Sequence, residues 1–145
     1  MKVMVANRGE IACRVLRTLR EQGIASVSIY SDVDADTPHV WLADEAVGLG
    51  EPRSYLDIEA VIGAAKQTGA TAIHPGYGFL SENFKFAEIV EGHGTKFIGP
   101  SSKIIKNMGD KIQAKKIAKE NGLPIIEGSD GGVKDAKEAK LICEK

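Results

Sequence analysis

The chain has 145 residues, a length typical of one domain with a sizeable core. Its 19 basic and 20 acidic side chains nearly cancel, which excludes a general electrostatic attraction to nucleic acid or to a membrane surface. Apolar runs stay well short of the roughly 18 residues that a membrane span needs, and no signal-peptide pattern precedes the first predicted strand.

Strand and helix patterns alternate over residues 1–99. Short apolar runs predict strands at 3–6, 26–30, 45–49, 71–73 and 96–98. Helical periodicity predicts helices at 10–22, 39–43, 58–68 and 82–91, the last one capped by Ser81. The acidic segment 31–38 is predicted to be a loop. This alternation predicts a Rossmann-like three-layer α/β domain, a parallel sheet with helices on both faces, that ends near Gly99.

Residues 100–145 follow a different pattern. After a junction at Pro100, helices are predicted at 102–107, 110–120 and 134–145, with one strand at 124–126 and a glycine-rich turn at 128–132. One short strand and few apolar residues cannot form a separate core. We therefore predict a helical connector followed by the truncated start of a second domain.

The segment at 72–83, AIHPGYGFLSEN, is the most informative part of the sequence. A buried-strand pattern ends at Pro75, which fixes φ and lacks a backbone donor. Gly76 and Gly78 allow conformations or close approaches that a Cβ would block, and they present Tyr77 on an exposed turn. Ligands of open α/β sheets bind beyond the carboxyl ends of strands, so this turn is a candidate site. The alternative is a turn that serves chain reversal only.

Lys111 is a second candidate. It follows Gly109 and Asp110 at the start of a predicted helix, where an ammonium group can reach a nucleotide phosphate and the helix amides add positive potential. Considered without further context, the pattern favours one more lysine on a solvated helix face.

Other polar residues receive structural interpretations. The first turn lacks the triple-glycine spacing of dinucleotide sites, and Glu10 would repel a phosphate there. His74 is predicted to be a hydrogen-bonded structural histidine without a catalytic role. Cys13 and Cys143 lack metal-ligand spacing and are predicted to be free thiols in helices.

Three strings carry a resemblance to a known family: ANRGEIA at 6–12, HPGYGFLSEN at 74–83 and MGDK at 108–111. In this order and at this spacing, they resemble the N-terminal part of the biotin carboxylase component of biotin-dependent carboxylases. That family includes the acetyl-, propionyl- and methylcrotonyl-CoA carboxylases, pyruvate carboxylase and urea carboxylase. Its members use MgATP and bicarbonate to carboxylate the N1 of biotin on a carrier protein by way of carboxyphosphate, which makes them ATP-dependent carbon–nitrogen ligases.

The resemblance implies roles for individual residues. Lys111 matches the nucleotide-binding lysine of the family, and Tyr77 and Gly78 match positions near biotin. In the family an ATP-grasp domain follows, and the magnesium ligands and the catalytic groups lie downstream, in the ATP-grasp lid and the C-terminal domain. The resemblance therefore implies neither catalytic nor metal-binding residues here, and the chain alone is expected to be inactive. The acidic residues are predicted to be scattered over loops and helix surfaces.

The resemblance also implies partners. These are the remainder of the carboxylase chain, the biotin carboxyl carrier domain and the carboxyltransferase component. The helix that carries Arg14, Arg17 and Glu21 corresponds to a subunit interface in bacterial family members, which implies a homodimer, although ordinary surface pairs have the same spacing. The expected location is the cytoplasm, or the mitochondrial matrix for a eukaryotic chain with a removed transit peptide.

Two alternatives stay open at this point. One is the N-terminal domain of another ATP-grasp ligase, such as a carbamoyl-phosphate or glycinamide-ribonucleotide synthetase, in which HPGYGFLSEN is not expected. The other is a binding or assembly module without chemistry. The sequence leaves the final acceptor of the carboxyl group undecided, because the choice of acceptor belongs to the carboxyltransferase.

Overall fold

A computed structural model describes residues 1–126 and 132–144 of the chain. Contacts divide the chain into two compact units, Met1–Ile105 and Lys106–Lys145.

The first unit contains a five-stranded sheet in which all neighbouring strands are parallel. Its strands are β1 (Lys2–Val5), β2 (Ala25–Tyr30), β3 (Glu45–Gly48), β4 (Ala72–His74) and β5 (Lys96–Phe97). Their order across the sheet is β3-β2-β1-β4-β5, so the first strand is central and the later strands extend on both sides of it. The predicted parallel sheet and all five of its strands are confirmed, with ends shifted by at most one residue.

The helices are α1 (Gly9–Glu21), α2 (Pro38–Leu42), α3 (Ile58–Thr68), α4 (Phe84–Gly92), α5 (Ser102–Gly109), α6 (Lys111–Glu120) and α7 (Ala136–Cys143). The first four alternate with the strands, as predicted.

Two buried clusters lie on opposite faces of the sheet, because neighbouring side chains of a strand point to opposite sides. Val3 and Val5 join one cluster with Leu16 of α1. Met4 joins the other with Val61 of α3 and Phe86 of α4. This is the three-layer α/β architecture that the sequence predicts.

The acidic segment after β2 differs from its prediction. Instead of a loop of solvated acids, residues Asp32–Asp34 form a short 3-10 helix, and Asp34 is only 2% exposed. A second 3-10 helix, Pro52–Leu56, carries the buried Tyr55. The prediction that the acidic residues are scattered over loops and helix surfaces is therefore wrong for Asp34, which is buried with Arg8 and Tyr55 as its partners.

Helix α4 begins later than the sequence predicts. Its N-cap is Asn83, whose Oδ1 accepts hydrogen bonds from the amides of Lys85 and Phe86. The predicted cap, Ser81, instead lies in the preceding turn, where its amide donates to the carbonyl of Gly78. The buried side chain of Leu80 anchors this turn, which delays the helix by two residues.

The regular elements described in the second unit are helices, joined by turns and irregular segments. Its predicted strand at 124–126 is wrong: Pro124 lacks the backbone donor that a ladder needs, and Ile126 is 90% exposed rather than packed on a sheet. Most of the predicted glycine-rich turn, at 128–131, lies outside the described residues. The last predicted helix is confirmed as α7.

Within the described residues, no helix combines the length and the apolar character that a bilayer crossing requires. Cys13 is buried in α1 and Cys143 is exposed in α7, and both are free thiols, as predicted.

Candidate functional site

The carboxyl ends of three adjacent strands, β2, β1 and β4, meet at one edge of the sheet, because all the strands run parallel. At this edge, the amide of Ala6 after β1 donates to the carbonyl of His74 at the end of β4, over 2.9 Å. Asn7 and Arg8 then follow β1, and the predicted Tyr77 turn follows β4. The sequence-predicted turn therefore lies directly beside the first βα turn.

The turn after β4 presents Tyr77 to solvent. Its side chain is 69% exposed, between Gly76 with φ of +64° and Gly78 with φ of +69°. Both φ values favour glycine, which explains why the ring has a glycine on each side. A Cβ built on Gly78 meets no atom within 4 Å, so the backbone beside Tyr77 is open to an approaching molecule.

The side chain of Asn7 hydrogen-bonds to the backbone of this turn. Its Nδ2 donates to the carbonyl oxygens of Pro75 and Tyr77, each over 2.8 Å. Its Oδ1 accepts from the amide of Arg8 over 2.9 Å, and only 3% of Asn7 is exposed. The conformation of the turn is therefore determined by a residue that follows the neighbouring strand as well as by its own glycines.

His74 is part of the same turn. Its Nδ1 accepts a hydrogen bond from the amide of Gly76 over 3.0 Å, which requires that this nitrogen carry no proton. Burial lowers the pKa of His74 and so favours the neutral ring. These contacts agree with the predicted role of His74 as a hydrogen-bonded structural residue.

An ion pair that the sequence analysis missed lies next to the turn. The guanidinium of Arg8 donates to both carboxylate oxygens of Asp34, with Nε to Oδ2 at 2.7 Å. Oδ2 also accepts from the hydroxyls of Tyr55, over 2.8 Å, and Ser31, over 3.1 Å. The Arg8 hydrogen bond, assisted by those from Tyr55 and Ser31, holds the pKa of Asp34 far below its usual range, in spite of its burial.

Tyr55 connects this ion pair to the Tyr77 turn. Its ring packs against Phe79 with 5.2 Å between ring centroids. Phe79 has a φ of +44°, the one positive value among the described residues that are not glycine. Hydrogen bonds from Asn7 thus fix residues 75–77, and ring packing against Tyr55 fixes Phe79.

The sequence predicts only part of these contacts. The string ANRGEIA signals that Asn7 and Arg8 matter, but it does not reveal what they touch. Asp34 has no local signal, because Asp32 and Asp36 surround it in the same acidic segment.

Lys111 belongs to the second unit, where it is the exposed first residue of α6. Asp110 caps that helix: its Oδ1 accepts from the amides of Ile112 and Gln113, each over 2.9 Å. Two of the helix amides that were expected to add positive potential for a phosphate are therefore engaged by a carboxylate. The residue Lys111 itself is exposed.

The remaining predicted site residues lie on the outer side of α1. Arg14, Arg17 and Glu21 are exposed, while Leu16 and Leu19 of the same helix are buried. Nη1 of Arg14 donates to the hydroxyl of Thr18 over 3.1 Å. Among residues 1–126 and 132–144, no group of three or more His, Cys, Asp or Glu side chains is arranged to hold a metal ion.

Comparison with known proteins places these features in a family context. The family model described as the N-terminal domain of biotin carboxylase matches residues 1–105. The chain is 54% identical to biotin carboxylase of Haemophilus influenzae, over 99% of this chain and 33% of that protein. It is 51% identical to the mitochondrial propionyl-CoA carboxylase alpha chain of Rattus norvegicus, over 99% of this chain and 20% of that one. The chain thus spans about a fifth to a third of the length of these relatives.

A solved structure agrees with these matches. The biotin carboxylase domain dimer of 2-oxoglutarate carboxylase from Hydrogenobacter thermophilus, in complex with MgADP, ADP and bicarbonate, superposes with a TM-score of 0.94 at 50% identity. The match covers 99% of this chain and 32% of that chain. With a family model over most of its length and a superposition of this quality, the chain belongs to the biotin carboxylase N-terminal domain family.

Proposed function

We propose that this chain is the N-terminal part of an ATP-dependent biotin carboxylase. The whole protein would use MgATP and bicarbonate to carboxylate the N1 of biotin on a carrier protein, by way of carboxyphosphate. The observation that carries this proposal is the exposed Tyr77 ring, held between two glycines at the carboxyl edge of the sheet in a chain of this family.

In this proposal, Tyr77 and Gly78 contact biotin. A phenol ring can stack on the bicyclic ring system of biotin or donate a hydrogen bond to it, and aromatic rings bind best when their backbone is fixed beforehand. The open space beside Gly78 lets a ligand approach the backbone. The high exposure of Tyr77 supports a role in contacting a molecule outside this unit.

Lys111 is proposed to bind ATP through its exposed ammonium group. Residues 1–99 are proposed to form the N-terminal domain, and residues 100–145 the connector and the start of an ATP-grasp domain. The magnesium ligands and the catalytic groups would lie in the rest of the carboxylase.

The proposed partners are the rest of that carboxylase, its biotin carboxyl carrier domain and its carboxyltransferase component. A homodimer through the exposed face of α1 is proposed as well, with Arg14, Arg17 and Glu21 at the interface; the dimeric Hydrogenobacter thermophilus domain supports it. The proposed location is the cytoplasm, or the mitochondrial matrix in a eukaryote; the name of the rat relative, a mitochondrial protein, supports the second.

The test is to purify the protein encoded by the full reading frame and to measure ADP release with free biotin and bicarbonate. Turnover of ATP that depends on both is expected. The 145-residue chain alone is expected to give none, because the proposed magnesium ligands lie outside it. A full-length protein that folds and binds ATP but shows no bicarbonate-dependent turnover would contradict the proposal.

The same assay tests the two ligand assignments. Tyr77→Ala is expected to raise the KM for biotin about tenfold while the KM for ATP is unchanged, since one aromatic contact contributes on that scale. Lys111→Gln is expected to raise the KM for ATP, whereas Lys116→Gln, an exposed lysine of the same helix, leaves it unchanged. Equal effects of the two lysine variants would refute the assignment of Lys111.

A further inference from the structure

The carboxamide of Asn7 has no part in the proposed chemistry, yet both of its N–H donors are directed at the Tyr77 turn. An asparagine side chain offers two N–H donors and one carbonyl acceptor. Both N–H groups are on Nδ2 of Asn7, which lies 2.8 Å from each of two carbonyl oxygens of the turn, those of Pro75 and Tyr77. The acceptor is engaged by the amide of Arg8, which fixes the orientation of the group.

Gly76 is shaped to admit this carboxamide. A Cβ built on Gly76 would lie 2.5 Å from Nδ2 of Asn7 and 2.9 Å from its Cγ. Such distances are far inside van der Waals contact, so Gly76 is needed for the space as well as for its φ of +64°. The glycine and the asparagine therefore form a matched pair between the segments that follow two neighbouring strands.

A turn with glycines on both sides of Tyr77 would sample many conformations if nothing held it. Ordering such a segment is unfavourable in entropy, and a ligand that has to order it binds more weakly. In this protein the two Asn7 hydrogen bonds order residues 75–77 when the chain folds. The Tyr77 ring is then presented in one place before any ligand arrives.

We propose that Asn7 is a positioning residue that holds the Tyr77 turn in the conformation that contacts biotin. This inference rests on the proposed function and deepens it, since it assigns a role to the ANRG string at the end of the first strand. Asn7 acts through Tyr77 and touches neither biotin nor the reacting atoms.

The first test is Asn7→Asp in the full-length protein. The variant keeps the shape of the side chain, but it has no donor for the two carbonyl oxygens and sets a carboxylate against them. The KM for biotin is expected to rise roughly tenfold, because two hydrogen bonds are lost, while the KM for ATP is unchanged. The control is Asn121→Asp, an exposed asparagine whose Nδ2 also donates to a backbone carbonyl, that of Ile117 over 2.8 Å. An unchanged KM for biotin in Asn7→Asp overturns the inference.

A double-mutant cycle separates positioning from a general structural role. If Asn7 acts through Tyr77, Asn7→Asp has little further effect on the KM for biotin once Tyr77→Ala is present. If Asn7 only stabilises the fold, it has the same effect in both backgrounds, and the inference fails.

A second variant keeps the inference testable if Asn7→Asp does not fold. Gly76→Ala displaces the carboxamide without changing residue 7 and is expected to raise the KM for biotin similarly. Its control is Gly69→Ala, which has the same φ of +64° but open space around the added Cβ, so it adds backbone strain without the clash. Equal values of the KM for biotin in the two alanine variants overturn the inference.

Failure of the proposed function can be recognised separately. If the wild-type protein shows no turnover that depends on biotin, the proposed function fails, and the turn is then examined by hydrogen–deuterium exchange. The Gly76 amide, which donates to His74, is expected to exchange at least tenfold faster in Asn7→Asp than in wild type or Asn121→Asp. Unchanged exchange overturns the role of Asn7 whatever the activity of the protein.

Discussion

At the scale of single residues, Asp34 shows how a buried charge is accommodated. Only 2% of Asp34 is exposed, yet its carboxylate accepts from Arg8, Tyr55 and Ser31 together. The same contacts lower the pKa of Asp34 and raise that of Arg8, chiefly through the hydrogen bond between the two. A carboxylate with this many donors stays ionised, and it joins the end of β2 to the first βα turn.

Asp34→Asn is expected to destabilise the protein. Loss of the charge leaves the Arg8 guanidinium without its counter-ion. The substitution also replaces one carboxylate oxygen, an acceptor, with an NH2 group that faces other hydrogen-bond donors. Breaking a fully buried pair lowers stability by about 3–5 kcal/mol, and partial solvation of Arg8 reduces this to about 2–3 kcal/mol. Urea denaturation followed by circular dichroism measures the change.

The matched control for this substitution is Asp32→Asn, an exposed aspartate of the same 3-10 helix. It is expected to change the free energy of unfolding by less than about 0.5 kcal/mol. Equal losses in the two variants would show that the acidic helix, rather than the ion pair, determines the stability.

These residues also show what a sequence reveals at this scale. The exposure of Tyr77 could be predicted, because the glycines on either side of it are visible in the sequence. The burial of Asp34 could not be predicted, because its partners Arg8 and Tyr55 lie 26 residues before it and 21 residues after it. Contacts over such separations exist only once the strands have been placed side by side.

At the scale of elements, the start of α4 shows how packing selects between two local signals. Ser81 and Asn83 are both good N-cap residues, so sequence propensity does not decide between them. Leu80 is buried, and it keeps residues 78–81 in a turn, which leaves Asn83 as the cap. By contrast, the bounds of α3 were predicted correctly, because Asp57 and Gly69 mark its two ends without competitors.

Asn83→Ala is expected to lower the free energy of unfolding by about 1 kcal/mol, because the amides of Lys85 and Phe86 lose their acceptor. For a unit of about 100 residues this is a fall in Tm of roughly 4–8 °C. Ser81→Ala is the control, and its Tm is expected to stay within about 2 °C of wild type. A larger fall for Ser81→Ala than for Asn83→Ala in thermal denaturation would show that the cap has been misassigned.

At the scale of the whole molecule, alternation of strands and helices predicts a parallel sheet because parallel strands need crossover connections. The order β3-β2-β1-β4-β5 does not follow from alternation, since several orders satisfy it. The apolar residues at 124–126 were predicted to form a strand, but a strand also needs a neighbour to pair with. Such a requirement is not visible in the local pattern.

The pH dependence of stability is a property of the first unit as a whole. Two histidines dominate this dependence in the upper part of the pH range. His39 is fully buried, with Nε2 at 3.3 Å from the carbonyl of Ile29 and Nδ1 at 2.8 Å from the Thr37 hydroxyl. Burial lowers the pKa of His39, as it lowers that of His74. The folded state therefore favours neutral rings, whereas the unfolded chain takes up protons near the ordinary histidine pKa of about 6.5.

Stability from these histidines is fully present above about pH 6.5 and is lost as the pH falls from there through the folded-state pKa values. The loss is expected to reach at most about 1.4 kcal/mol per pH unit for each histidine. The contribution of Asp34 has the same sign but disappears only below about pH 4, the ordinary range of an aspartate.

Urea titrations between pH 7.5 and 4.5 measure the slope of the free energy of unfolding against pH. His39→Gln is expected to flatten it, while His93→Gln, at an exposed histidine after α4, leaves it unchanged. Equal slopes for wild type and His39→Gln would show that the buried ring accepts its proton without loss of the fold.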